Sequence, residues 1–417
     1  MNNISTVAEK PKIYWEPNEY HHVPYQIYSD GGIYEEEQKR LFRGPVWQFV
    51  GLDMEVPNPG DFKTTWIGDT PILLIRDETG ALNAFVNRCA HRGTTLCFEA
   101  YGNKPVLSCV YHNWCFDLQG NLQSVAFQHG IRKQGGLPKD FCFKDHGLTR
   151  LRVAQVRNLV FATFSDETPP IEEFLGETMV SHMNRIFNRP MKILGTYSQY
   201  MHNNWKLYME NVKDSYHASL LHLFFTTFRL NRLSMEGGLL LDDSGGHHIS
   251  YSKVKTDSSQ DTEYETGQLR AQQDDFTLAD RRLLRTFPEF EDGITHAIQG
   301  IFPTMVVQQI QNSLAVRQLV PRGPGECELF WTILGYEDDT PDQTDMRLKQ
   351  SNLIGPAGLV SMEDGIIGSL VQRAIDCDSD KSTVLEMGGH SVENQKSRVS
   401  EASVRGFWKA YRTHMDL

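Results

Sequence analysis

The sequence predicts an α+β protein of two unequal units: a β-rich unit, and a larger one in which helices flank an antiparallel sheet. Three observations predict it. From Val46 to about Phe164, short β segments such as TTWIG, PILLIRD and NAFVNRC alternate with turn signals, Glu78-Thr79-Gly80 and Gln119-Gly120 marking hairpins. After Pro169-Pro170 the pattern changes, and IEEFLGETMVSHMNRIF carries apolar residues at helical spacing. Beyond it, ILGTYSQYMH, HHISYSKV, TMVVQQI, SLAVRQLV and ELFWTILGY are strand candidates for one sheet. The expected divisions are an arm and helix over 1–43 that pack with the larger unit, the β-rich unit over 44–165, and the larger unit over 166–417.

Taken in order, residues 1–34 read as an irregular arm, followed by a short helix at Tyr34–Phe42 with EEEQKR towards solvent. VRNLVFATF closes the β-rich unit. Thr340-Pro341-Asp342 starts a helix, with proline in the first turn. Gly355-Pro356-Ala357-Gly358 separates two helical runs; Ser361 is expected to cap the second, with Asp364 in its first turn. The polar run Asp257–Asp275 reads as a loop.

Composition narrows the partners. A net charge of −12 argues against nucleic acid or an anionic membrane surface, and an anionic substrate would need local Arg or Lys. No window has the apolar length of a membrane span, and MNNISTVAEKPK lacks a signal-peptide core, so a cytoplasmic location is expected. The seven cysteines are scattered and suit reduced thiols rather than a disulfide frame.

Two loops in the β-rich unit carry chemistry. Cys89-Ala90-His91 and, after seventeen residues, Cys109-Val110-Tyr111-His112 each offer one thiolate and one imidazole. Structural zinc usually takes C-x-x-C paired with H-x-H or with a second C-x-x-C. Mixed loops suit a Rieske 2Fe–2S cluster, both thiolates on one iron and both imidazoles on the other. Neutral imidazoles make such a cluster less negative and easier to reduce.

A second constellation lies in NWKLYMENVKDSYHASLLHLFF. Asp214 and His217 share a helical face, whereas His217 and His222, five apart, sit about 140° out of register on a regular helix. The segment must be broken between them if both are to reach one metal. The bland alternative is two core histidines, with Asp214 paired to Lys213 on the surface. Electrons from a cluster need a destination, which favours a non-haem ferrous site of two imidazoles and one carboxylate with positions open for O2. Asp364 and Glu363 both qualify as the carboxylate, and spacing does not decide between them.

With CAHRG, CVYHNW, ENVKDSYHASLLH, IGPAGLVSMEDG and SVRGFWKAYR in view, the chain resembles, nearly end to end, the large (α) subunits of Rieske aromatic-ring-hydroxylating oxygenases. The resemblance implies a Rieske cluster on Cys89, His91, Cys109 and His112, and mononuclear Fe(II) on His217, His222 and Asp364. It implies that Asp214 bridges to a Rieske histidine of the neighbouring subunit in a head-to-tail trimer. It also implies a small β subunit in an α3β3 assembly. NADH would supply the electrons through a separate reductase, flavin- or iron–sulfur-containing, because the chain shows no dinucleotide fingerprint. The activity implied is cis-dihydroxylation of an aromatic ring with O2.

For the substrate, Arg317 in an otherwise apolar strand and Arg398 near the C-terminus are candidate forks for carboxylates. By their company, Arg317 has as good a claim to pair elsewhere, and Arg398 reads as a surface residue. Both together favour a dicarboxylate such as terephthalate, with salicylate, anthranilate or another benzoate as the alternative. A Rieske electron carrier is the competing class, but it would leave some 250 residues without a role. Iron content separates the two: two irons per chain for a carrier, three for an oxygenase.

Overall fold

The computed structural model describes residues 13–253, 264, 277–378 and 380–417. The predicted loop Asp257–Asp275 therefore lies outside the described residues, apart from Tyr264. Two compact units result: Leu41–Phe174 with Met183–Phe187, and Met1–Arg40 with Leu175–His182 and Asn188–Leu417.

The first unit is built on antiparallel strands. β1 (Gln48–Leu52), β2 (Asp61–Ile67), β3 (Thr70–Arg76), β4 (Leu82–Val86), β5 (Tyr101–Asn103), β9 (Arg150–Val156) and β10 (Leu159–Thr163) form a sheet in the order β1-β10-β9-β4-β3-β2-β5. β6 (Leu107–Ser108), β7 (Cys115–Phe116) and β8 (Leu122–Ser124) make a small second sheet. Phe62, Leu73, Phe85, Trp114 and Phe116 pack into one core, and that core includes Cys89 and Cys109. Asp77 fixes the predicted β3–β4 turn by accepting from Thr79 N (2.9 Å), Thr79 Oγ1 (2.6 Å) and Ala81 N (3.0 Å).

The second unit carries the predicted single sheet. β11 (Met191–Met201), β12 (Gly237–Leu241), β13 (His248–Lys253), β14 (Ile294–Ile301), β15 (Met305–Ile310), β16 (Ser313–Gly323) and β17 (Glu326–Tyr336) run antiparallel in the order β11-β17-β16-β15-β14-β13-β12. Five match the expected strands; β12, with its paired glycines, and β14, with polar residues at His296 and Gln299, carry weaker strand patterns. Helices Trp205–Lys213, Pro341–Ile354 and Leu359–Ile375 pack on the sheet, and Ala402–Met415 packs on β12. Thr340 starts its helix as predicted, its Oγ1 accepting from Gln343 N while Gln343 Oε1 accepts from Thr340 N.

Three local expectations are corrected. The helical run after Pro170 breaks at Gly176 (φ +76°) into Ile171–Leu175 and Glu177–Ile186. EEEQKR is not all on the solvent side: Glu37 and Gln38 are buried. Glu37 accepts from Trp205 Nε1 (2.8 Å), Lys206 Nζ (2.5 Å) and Tyr411 OH (2.6 Å), and these partners offset the cost of burying the charge. Ser361 is not a cap. The helix starts at Leu359, so Asp364 falls in its second turn, and Ser361 Oγ donates to Gln199 Oε1 (2.6 Å).

Candidate functional site

The two cysteine loops have matching backbones. Cys89 N donates to Thr94 O (2.8 Å) and Gly93 N to Cys89 O (3.0 Å); Cys109 N donates to Trp114 O (2.8 Å) and Asn113 N to Cys109 O (2.9 Å). Gly93 (φ +78°) and Asn113 (φ +52°) each turn the chain through the left-handed region. This sets both sulfurs in the core and both imidazoles at its rim: Cys89 and Cys109 are buried, His91 is exposed and His112 half-buried. The two histidine rings lie 4.6 Å apart between centroids, and His91 stacks on Trp114 at 4.7 Å. Burial pushes the Cys89 thiol up, while the backbone amides of His91 and Arg92 donate to its sulfur and pull it down. Among the described residues, the sets whose donor atoms all fall within 4.8 Å of one another include His217, His222 and Asp364, but not these four. One zinc ion would need all four donors that close; a two-iron cluster spreads them, so the donor set fits the cluster.

The predicted break in the His217–His222 segment is present. Helix Trp205–Lys213 ends at Asp214, a short helix covers Ala218–Leu221, and His222 (φ −84°, ψ 80°) leads into Leu223–Thr227. Both imidazoles therefore converge. Asp364 Oδ1 lies 3.6 Å from His217 Nε2 and 3.3 Å from His222 Nε2. On their far sides, His217 Nδ1 meets Asp214 Oδ2 at 3.2 Å and His222 Nδ1 meets Glu363 Oε2 at 2.7 Å. Burial works against charge on His217, but Asp214 and Asp364 outweigh it and push the ring up to about 10. Burial likewise opposes charge on Asp364, yet His222 and His217 hold its carboxyl well below the usual range. Two imidazoles and a buried carboxylate thus compete for a cation, and the donor types fit Fe(II). The alternative pairing of Asp214 with Lys213 is absent: Lys213 is buried and donates to Gly246 O at 2.7 Å.

These ligand-type residues open onto a cavity of about 700 Å³, its mouth included, also lined by Arg317 and Arg398. Neither arginine is at the surface, which corrects the expectation for Arg398: they are 6% and 3% exposed. Arg317 donates to Tyr208 OH (2.7 Å) and lies over Trp331; Arg398 donates to Asn231 Oδ1 (2.6 Å) and to Arg232 O. Among the described residues, neither meets a carboxylate, and the Nε of each lacks a partner. Burial brings Arg398 down to about 10, still cationic at neutral pH. His296, Gln308, Ser252 and Trp331 line the same cavity and also hold buried polar atoms without partners. Sequence reasoning missed His296, Gln308 and Ser252, whereas Trp331 and Asn211, whose Nδ2 donates to Asp364 Oδ1 at 3.2 Å, lie in the ELFWTILGY and NWKLYMENVKDSYHASLLHLFF stretches it had marked. Polar residues within strands were the available signal.

Residues 46–134 match the Rieske [2Fe-2S] domain, and 191–417 match the catalytic domain of the ring-hydroxylating alpha subunit. The chain belongs to the Rieske ring-hydroxylating oxygenase alpha subunits. Members of this family are oxidoreductases that carry a Rieske 2Fe–2S cluster and bind mononuclear iron in the catalytic domain. This alpha subunit is 49% identical over 97% of both chains to the terephthalate 1,2-dioxygenase terminal oxygenase component subunit alpha 2 of Comamonas sp. It is 46% identical, over 94% of this chain and 93% of the other, to the anthranilate 1,2-dioxygenase large subunit of Burkholderia cepacia. Naphthalene 1,2-dioxygenase from Rhodococcus sp., solved with bound indole, shares the fold at TM-score 0.78 and 20% identity, covering 94% of each chain. Among the described residues, no helix is long and apolar enough to cross a membrane.

Proposed function

We propose that this alpha subunit is the cytoplasmic terminal oxygenase of a terephthalate 1,2-dioxygenase. It would cis-dihydroxylate the dicarboxylate with O2 and electrons passed from NADH by a separate flavin/iron–sulfur reductase, together with a small β subunit in an α3β3 assembly. The observation that carries the reading is the pair of buried arginines, without carboxylate partners, in the cavity lined by His217, His222 and Asp364. A buried guanidinium with a free donor is costly unless an anion meets it. Two of them favour a substrate with two carboxylates, and the 49% identity to the Comamonas subunit agrees. Anthranilate, salicylate or another benzoate is the second reading, favoured by the similar identity to the anthranilate enzyme.

Cys89, His91, Cys109 and His112 would hold the cluster, and His217, His222 and Asp364 the iron. When bound, these groups supply single electrons and the activation of O2. The protein's part is positioning. Arg317 and Arg398 each take one carboxylate and fix the ring in the cavity. Asp214 and Glu363 set the tautomer of His217 and His222, turning each Nε2 inward. Asp214, on the outer side of His217, would also accept from a Rieske histidine of the neighbouring subunit, which brings the two redox centres close. Residues 44–165 would act as the Rieske domain and 166–417 as the catalytic domain, with the arm 1–43 belonging to the latter.

The test is single-turnover oxidation of terephthalate, benzoate, anthranilate and salicylate by the reduced protein, with product identification. A cis-diol from terephthalate is expected. Turnover of salicylate or anthranilate with none of terephthalate overturns the dicarboxylate reading.

A further inference from the structure

We propose a metal site on the second unit, separate from the His217, His222 and Asp364 set, formed by Glu19, His21, His22, Glu386 and His390. Two sets of three donors meet there. The ligand atoms of Glu19, His21 and His22 all lie within 4.8 Å of one another, and so do those of His21, Glu386 and His390. Glu19 Oε1 is 2.7 Å from His22 Nδ1 and 3.7 Å from His21 Nε2. Glu386 Oε1 is 3.8 Å from both His22 Nε2 and His390 Nε2, and His21, common to both sets, joins them. A tetrahedron of nitrogen and oxygen ligands about 2.0–2.1 Å from an ion has edges of about 3.4 Å. The separations within the two sets of three bracket that edge, and a turn of His21 out of its stack with His390 brings a fourth donor towards one ion.

The backbone holds the two halves in place. Leu385 N donates to His21 O (2.8 Å), Thr383 N to Val23 O (2.9 Å) and Tyr25 N to Lys381 O (2.9 Å), so the arm and the 381–385 segment lie side by side. Past the segment, Arg405 grips Leu385 O (2.8 Å) and Ser391 O (3.1 Å), and Glu401 accepts from Met387 N (2.9 Å). The His21 and His390 rings stack at 4.1 Å, 9° from parallel, so one of them must turn for both to reach the same ion. Side chains on well-held backbones lose less freedom on binding an ion, which favours affinity.

Three imidazoles with two carboxylates select a borderline divalent ion such as zinc, nickel or copper over magnesium or calcium. An ion there would cross-link the arm to a segment more than 360 residues away, adding to the backbone hydrogen bonds and the Val23 N to Thr383 Oγ1 bond (3.0 Å) that already join the two stretches. Its role is that of a clasp for the arm.

The iron-loaded holoprotein, incubated with zinc chloride and then gel-filtered, provides the test through its zinc and iron contents. The parent should gain about one zinc per chain with iron unchanged, and its thermal midpoint should rise saturably with zinc. The double variant His21→Ala/His390→Ala should lose both effects. Should that variant lose its visible iron–sulfur absorbance, Glu386→Gln decides instead. Among the described residues the half-exposed Glu386 side chain pairs only with His22 and His390, at 3.8 Å, and Gln keeps the backbone carbonyl that accepts from Gly389 N. Equal zinc uptake by parent and variants, zinc entry only at the expense of iron, or no uptake at all overturns the site; the last leaves a hydrogen-bonded cluster.

Discussion

His222 and Glu363 are tied by a 2.7 Å hydrogen bond at Nδ1, on the side of the ring turned away from Asp364. Adjacent carboxylates thus have different contacts, Asp364 facing the Nε2 atoms of both histidines and Glu363 holding His222 from behind. Asp364→Ala should lose the mononuclear iron and keep the Rieske spectrum. Glu363→Ala should keep both metals but bind iron about 10–100-fold more weakly. Iron counting and visible absorbance separate the outcomes, and equal iron loss in both variants would contradict the assignment.

Cys109→Ser or His112→Ala should abolish the visible cluster absorbance and turnover, and should destabilise the first unit, because Cys109 sits in its core. A full cluster in either variant would remove that residue from the ligand set.

Asp214→Asn should leave both metal centres occupied yet cut electron delivery. The measurement is cluster reoxidation by O2 with substrate bound. A rate near that of the parent sinks the bridging role.

Arg317→Ala and Arg398→Ala should each weaken apparent terephthalate affinity by one to two decades, about 1.5–3 kcal/mol per charge-assisted contact. With benzoate only one substitution should matter. Equal insensitivity with both substrates would return the arginines to a structural role.

Acid should unfold the first unit partly through Asp77. Burial would raise its carboxyl, but the donors on Thr79, Gln119, Asn83 and Ala81 outweigh that and bring it down to about 2, below its ordinary 3.8. A carboxyl depressed in the folded state adds stability above about pH 4, which is lost as pH falls through about 2. Asp77→Asn should cost about 1–3 kcal/mol at pH 7 and flatten that acid slope in urea unfolding.

What the sequence made legible was local. The cysteine loops, the Thr340 cap and the break between His217 and His222 each follow from spacing within a few residues. What it hid was set by distant partners. Glu37 reads as a surface acid until Trp205, Lys206 and Tyr411 surround it. Arg398 reads as exposed because its neighbours are polar, whereas Asn231 and Arg232 from another stretch enclose it. Spacing leaves Glu363 and Asp364 equivalent; the resemblance favours Asp364, and the helix from Leu359 turns the two carboxylates to different sides of His222.

The bond between Glu37 and Tyr411 also bears on how the protein is made. The first unit draws almost wholly on residues 41–174, so it can fold while the rest of the chain is still being synthesised. The second cannot finish that early. Glu37 must wait for Tyr411, made 374 residues later, before its charge is fully enclosed. The second unit therefore closes after the residues of the first have all been made. The cavity, which needs Arg398 for its lining, cannot be complete until long after the last residue of the first unit, Phe187, has been added.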